Sequence, residues 1–188
     1  MNLYDIINSQ FQLSPEATSI LIDMFDKIEL PKQSLILEAN KVEKHLYFIK
    51  KGLVRAYTEI DSQEITFWFG TEGHLIIPMN SYVFGNKNYE NIELLEDCIL
   101  YRIEIAKLQN LYFENKEIAN WGRRLAETEL VATELRLINR ISMQAKDRYL
   151  DLLHQHPNLL QRAALRHIAS YLGITQVSLS RIRSQITF

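Results

Sequence analysis

From Glu117 to Met143 the sequence runs without a proline and with a single glycine, Gly122. Ile118, Trp121, Leu125, Ala132 and Leu135 recur in this run at intervals of about three, four and seven, the period of a helix with one apolar side. At about 1.5 Å per residue such a helix reaches about 40 Å. That is too long for one small domain to cover. The stripe is therefore expected to pack against the same helix of a second copy; the alternative is a helix packed wholly on its own domain.

The chain before this helix has a different period. Residues 14–27 predict a short helix, with Ser14 as cap, Pro15 and Glu16 in the first turn, and Ile20, Leu21, Met24 and Phe25 on one side. Short strands follow at 34–38, 45–50, 53–59, 64–69, 74–78, 92–95 and 99–103, rich in Leu, Ile, Tyr, Phe and Val. Lys51-Gly52 and Asp61-Ser62 are placed for tight turns, and Asn80–Asn91 is a long connection. Many short strands at close spacing predict a barrel or roll rather than a parallel sheet. Phe67, Trp68 and Phe69 are assigned to its core. A break falls near Asn115.

After the long run, helices are expected at about 145–154, 162–172 and 176–185, with His156-Pro157-Asn158 ending the first. Charge separates the two parts of the chain. Residues 136–188 carry eight Lys/Arg and two acids, a balance of +6, while residues 1–135 carry −8. Such an asymmetry suggests a polyanionic partner for the C-terminal part alone. A lone cysteine, Cys98, rules out an intrachain disulfide and a multi-cysteine metal site, and fits a reducing cytoplasm. Neither a leader peptide nor a membrane-spanning apolar run is apparent. The strand region offers only His45 and His74, too few inward-facing ligands for a metal-dependent enzyme on a β-roll.

The segment from Leu165 to Ile182 is the most informative. Its apolar frame is Leu165, Ile168, Ala169, Leu172, Ile174, Leu179 and Ile182. Ala169 is small enough for a second helix to cross close above it, Gly173 can take the positive φ of a sharp turn, and Thr175 can cap the helix that follows. That helix would expose Gln176, Val177, Ser180, Arg181 and Arg183. These are the requirements of a helix-turn-helix reader of DNA. An arginine can bond guanine O6 and N7 together, and a glutamine adenine N6 and N7.

From about Leu30 to Arg183 the sequence resembles the cyclic-AMP receptor protein / fumarate-nitrate regulator (Crp/Fnr) family. The hairpin around Gly52 (Leu46–Tyr57), the strand Gly70–Pro78 and the pair of helices Ile168–Ile182 carry the resemblance. It implies an α+β fold: a cyclic-nucleotide-binding-like β-roll (jelly roll) over 1–115, a dimerisation helix over 116–143, and over 144–188 a winged-helix-like helix-turn-helix with a short or absent wing. It implies a cytoplasmic bacterial homodimer that binds double-stranded DNA, with RNA polymerase as a further partner. By family position, Gln176, Val177 and Arg181 would read bases, and Arg166, Thr175, Ser178 and Arg183 would hold phosphates. Ile118, Trp121, Leu125, Ala132 and Leu135 would form the dimer seam. Val177 departs from the acid often found there, so target preference should differ. The family's ribose-binding Glu and phosphate-binding Arg also have no counterpart: Pro78 stands near the first, and Asn88 or Tyr89 near the second, beside Glu90. The implied cofactor, cyclic AMP, is therefore not expected. A pocket lined by Met79, Asn80, Ser81, Tyr82, Tyr89 and Asn91 would take another small-molecule effector or be filled by side chains. The competing reading is a small-molecule-binding signalling module acting through protein contacts.

Overall fold

In the computed structural model, which describes residues 1–186, the N-terminal part is a jelly roll of two four-stranded antiparallel sheets. Its strands are β1 (Asp26–Leu30), β2 (Leu35–Leu37), β3 (His45–Lys51), β4 (Val54–Ile60), β5 (Gln63–Gly70), β6 (Leu75–Ile76), β7 (Asn91–Leu94) and β8 (Cys98–Glu104). One sheet has the order β1-β8-β3-β6 and the other β2-β7-β4-β5. Asp61 and Ser62 both have positive φ, 51° and 61°, the backbone of a two-residue turn whose twist matches its strands. Gly52 (φ 118°) lies so close to β8 that a Cβ there would stand 2.3 Å from Cys98 Sγ.

Alternation along the strands sets what each face meets. On β3, Tyr47 and Ile49 point into the roll, with Val54, Ala56, Ile92 and Leu100. Leu46 and Phe48 point outward, into a second core made with helices. This sheet is thus buried on both faces, which is why residues 46–49 read as a continuous apolar run. The helices over it are α1 (Leu3–Gln10), α2 (Pro15–Ile22), α4 (Ile105–Glu114) and α5 (Lys116–Ser142); α3 (Met79–Phe84) lies between β6 and β7. Asn115 starts α5, its Oδ1 accepting from the Glu117 and Ile118 N–H groups at 2.9 and 3.1 Å.

Three sequence expectations need correction. The helix expected over 14–27 ends at Ile22, because Asp26–Leu30 pairs with Cys98–Arg102 as β1, a partner distant in sequence. Helix α1 was not anticipated: Asn2 caps it, and it is fixed by Trp121, whose Nε1 donates to the Ile7 carbonyl at 3.0 Å. Of the three aromatics assigned to the roll core, only Trp68 packs there. A bulge at Phe67, opposite Ala56/Tyr57, leaves that ring exposed, and alternation with Trp68 sends Phe69 to the outer face, toward the C-terminal helices.

Candidate nucleic-acid interface

The C-terminal unit contains α6 (Ala145–Gln155), α7 (Leu159–Arg162), α8 (Leu165–Leu172) and α9 (Gln176–Ser184). Ile168, Ala169, Leu172 and Leu179 are buried together in its core. Gly173 (φ 69°) ends α8, and the Ile174 N–H bonds back to the Ala169 carbonyl at 3.0 Å, closing the turn. Thr175 then caps α9, its Oγ1 accepting from the Ser178 N–H at 3.1 Å. Leu179 fills the inward side of α9. Gln176, Val177, Arg181 and Arg183 are exposed on it, Val177 by 63%. Thr175 and Arg166 are exposed as well, while Ser178 is half-buried with its hydroxyl against Thr175. No strand follows α9 among the described residues.

The C-terminal cations do not act alike. Arg162 forks between two carboxylates of the roll, with nitrogens 2.7–3.1 Å from Glu72 and Glu96. Burial works against the charge on Glu72, but hydrogen bonds from Arg162 and the Gly52 N–H outweigh it and hold the pKa at about 2. Arg140 Nη1 and Arg148 Nη2 donate to the Tyr171 and Leu172 carbonyls at 2.9 and 2.8 Å, tying the last turn of α8 to α5 and α6. Sequence inspection counted all of these as free charge.

The apolar stripe expected on the long helix is divided. Ile118, Trp121 and Leu125 are buried against α1, α2 and the roll of their own chain, so these three are corrected from a seam to an intramolecular core. Ala132 is half-buried and Leu135 exposed. At about 100° per residue, Leu130, Ile138 and Ile141 point to the opposite side of α5, where they are 70%, 50% and 77% exposed, with Val131 and Leu137 nearby.

The candidate pocket is largely occupied by its own side chains. Asn88 Oδ1 accepts from the Ser81 N–H and hydroxyl at 3.2 and 3.0 Å, and Ser81 Oγ accepts in turn from the Glu43 N–H. Asn80 is held by the Lys87 carbonyl, and Asn91 Oδ1 by the Ala39 N–H. Met79 and Tyr89 face outward; Tyr82 is half-buried beside Tyr112. Asn88 and Glu90 alternate inward on the segment leading to β7, and burial raises the pKa of Glu90. The only cation between 79 and 91 is Lys87, which is exposed. These residues do not fit a cyclic phosphate, which needs a cationic or N–H-rich cradle.

Residues 27–115 match the family model for a cyclic nucleotide-binding domain. FixK2 from Bradyrhizobium japonicum superposes with a TM-score of 0.75 at 18% identity, covering 86% of this chain and 83% of that one. The fold is that of the Crp/Fnr regulators. A transcriptional regulator of the crp/fnr family from Eubacterium rectale agrees (TM-score 0.73, 17% identity, 92% and 83% covered). So does a CooA mutant from Carboxydothermus hydrogenoformans (0.69, 18%, 98% and 84%). No curated protein matches by sequence. Among the described residues of this Crp/Fnr-fold chain, no helix is long and apolar enough to cross a membrane.

Proposed function

We propose that the protein is a homodimeric DNA-binding transcription regulator, not an enzyme, with α9 as its reading helix. The observation that carries this is the exposed edge of α9, where Gln176, Val177 and Arg181 lie within about one turn of each other, opposite a buried Leu179. Arg181 offers a bidentate guanidinium to guanine, Gln176 an amide to adenine, and Val177 an apolar contact to a thymine methyl. Arg166 on α8 and Arg183, one turn beyond Leu179 on α9, are both exposed and serve as the phosphate contacts. Two copies pair through the exposed apolar side of α5, around Leu130, Ile138 and Ile141. The roll binds no cyclic nucleotide, and RNA polymerase is the protein partner in transcription.

Selection of bound duplexes from a random pool tests this. The expected outcome is an inverted repeat with half-site centres about 10–10.5 base pairs apart, or a multiple of that, as two-fold symmetry demands. Recovery of no preferred sequence at any salt concentration would refute the reading.

A further inference from the structure

Strand β7 sends Ile92 and Leu94 into the roll. Two steps back along the same alternation stand Glu90 and then Asn88, 3% and 2% exposed, while Tyr89 between them is 59% exposed. Residues two apart in the chain are at most about 7 Å from each other, so the two polar side chains enter the roll side by side.

Each is only half engaged. Asn88 Oδ1 accepts from the Ser81 N–H and hydroxyl, and the Asn88 backbone pairs with Asn40 and Lys41, so this side chain is fixed in place. Its Nδ2 has no acceptor, and Glu90 Oε2 has no donor. The two do not satisfy each other. Burial raises the pKa of Glu90, and only the N–H groups of Glu90 and Tyr89 act against it; no cationic side chain does. A buried donor and a buried carboxylate without partners are both costly, and a carboxylate is the costlier of the two. Among the described residues no group of three side chains could hold a metal ion, so an organic cation is the counterpart that fits.

We infer that Asn88 and Glu90 form a two-point site inside the roll for a small ammonium compound. The ammonium donates to Glu90 Oε2, and an uncharged hydroxyl or carbonyl oxygen two carbons away accepts from Asn88 Nδ2. Bonds of about 2.9 Å from two groups this close bring the ligand's donor and acceptor within a few ångströms of each other, the spacing across two carbons. The polarity is the reverse of a phosphate site: a second anion on the ligand would meet Glu90. The site belongs to the roll alone, so its failure would leave the reading of DNA by α9 untouched.

Nitrogen–proton correlation spectra of the full chain, titrated with ethanolamine, test the site, because the Asn88 side-chain amide reports on it directly. A probe of four non-hydrogen atoms is expected to bind with a dissociation constant on the order of 1 mM. The Asn88 side-chain signals and the amides of residues 88–92 should shift and saturate, while those of α9 stay in place. Ethylamine, which lacks the acceptor for Asn88 Nδ2, should bind several-fold more weakly. Glu90→Gln keeps the shape and removes the charge, and should weaken ethanolamine at least about tenfold. No shift up to about 50 mM, far above the expected constant, would mean that internal water alone meets these groups and overturns the inference. Shifts that never saturate, equal binding of ethylamine, or undiminished binding by Glu90→Gln overturn it as well. Should Glu90→Gln not fold, ethylene glycol decides on the wild type: without the ammonium it must bind at least about tenfold more weakly than ethanolamine, and equal binding overturns the inference.

Discussion

Among the basic residues of the C-terminal unit, Arg162 turns inward to Glu72 and Glu96, whereas Arg166 and Arg181 face solvent. Their removal should therefore read out differently. Arg162→Ala leaves Glu72 and Glu96, both partly buried, without their cation, Glu72 keeping only the Gly52 N–H. With hydrogen bonds to charged groups worth about 1.5–3 kcal/mol, and a discount for partial exposure, a loss of about 1–2 kcal/mol is expected in urea denaturation. It should leave sequence preference unchanged. Arg181→Ala should cost about 1–3 kcal/mol of DNA affinity and relax preference at one position in each half-site. Arg166→Ala should weaken all sequences alike. Titrating both variants against single-base operator changes distinguishes them, and an Arg181→Ala protein with the full wild-type profile would remove α9 as the reader.

At the scale of elements, α5 shows both what the sequence reveals and what it hides. Its existence, its start at Asn115 and its length follow from the absence of proline, the capping side chain and the helical period. Its facing does not, because the helix changes partner along its length: Ile118, Trp121 and Leu125 meet their own domain, and Leu130 and Ile141 lie on the other side. A single stripe drawn through both halves mixes two surfaces. The consequence is testable. Leu130→Asp with Ile141→Asp should give folded monomers by light scattering, whereas Leu125→Asp should destabilise the roll itself, since an unpaired carboxylate would enter a packed core. Strand β1 was invisible for a related reason: it is specified by its distant partner β8, and Asp26–Leu30 carries no strong period of its own. Helix α1 was legible but overlooked, because Asn2 caps it locally and Leu3, Ile6 and Ile7 recur at helical spacing. The turn at Gly173 and the cap at Thr175 were legible because their chemistry is local. In the cassette, the missing cation was legible, but the Ser81–Asn88 closure was not. Calorimetry with cyclic AMP is accordingly expected to show no binding at micromolar concentration, and a micromolar dissociation constant would mean that Asn88 yields its place to the ligand.

For the whole molecule, charge alone misleads by a calculable amount. Each phosphate neutralised contributes about −0.9 to the slope of log affinity against log salt. Were all eight basic residues of 136–188 to meet phosphate in both protomers, the slope would be about −14. The fold withdraws Arg140, Arg148 and Arg162: the first two close the end of α8, and the third binds the roll. Arg136 donates to Thr133, and Lys146 lies on α6, outside the reading pair of helices. With Arg181 turned to a base, Arg166 and Arg183 remain as phosphate contacts, four in a dimer, and the expected slope is about −4. Arg166→Ala should bring it to about −2, because the dimer loses two contacts at once. Binding measured at four or five salt concentrations gives the slope directly. A value near −14 would mean that α8 leaves the carbonyls of its last turn and the roll releases Arg162 when DNA binds, so that the docked arrangement is not the one that reads DNA. A slope near −4 that Arg166→Ala leaves unchanged would instead keep the docked arrangement but move the backbone contacts off α8.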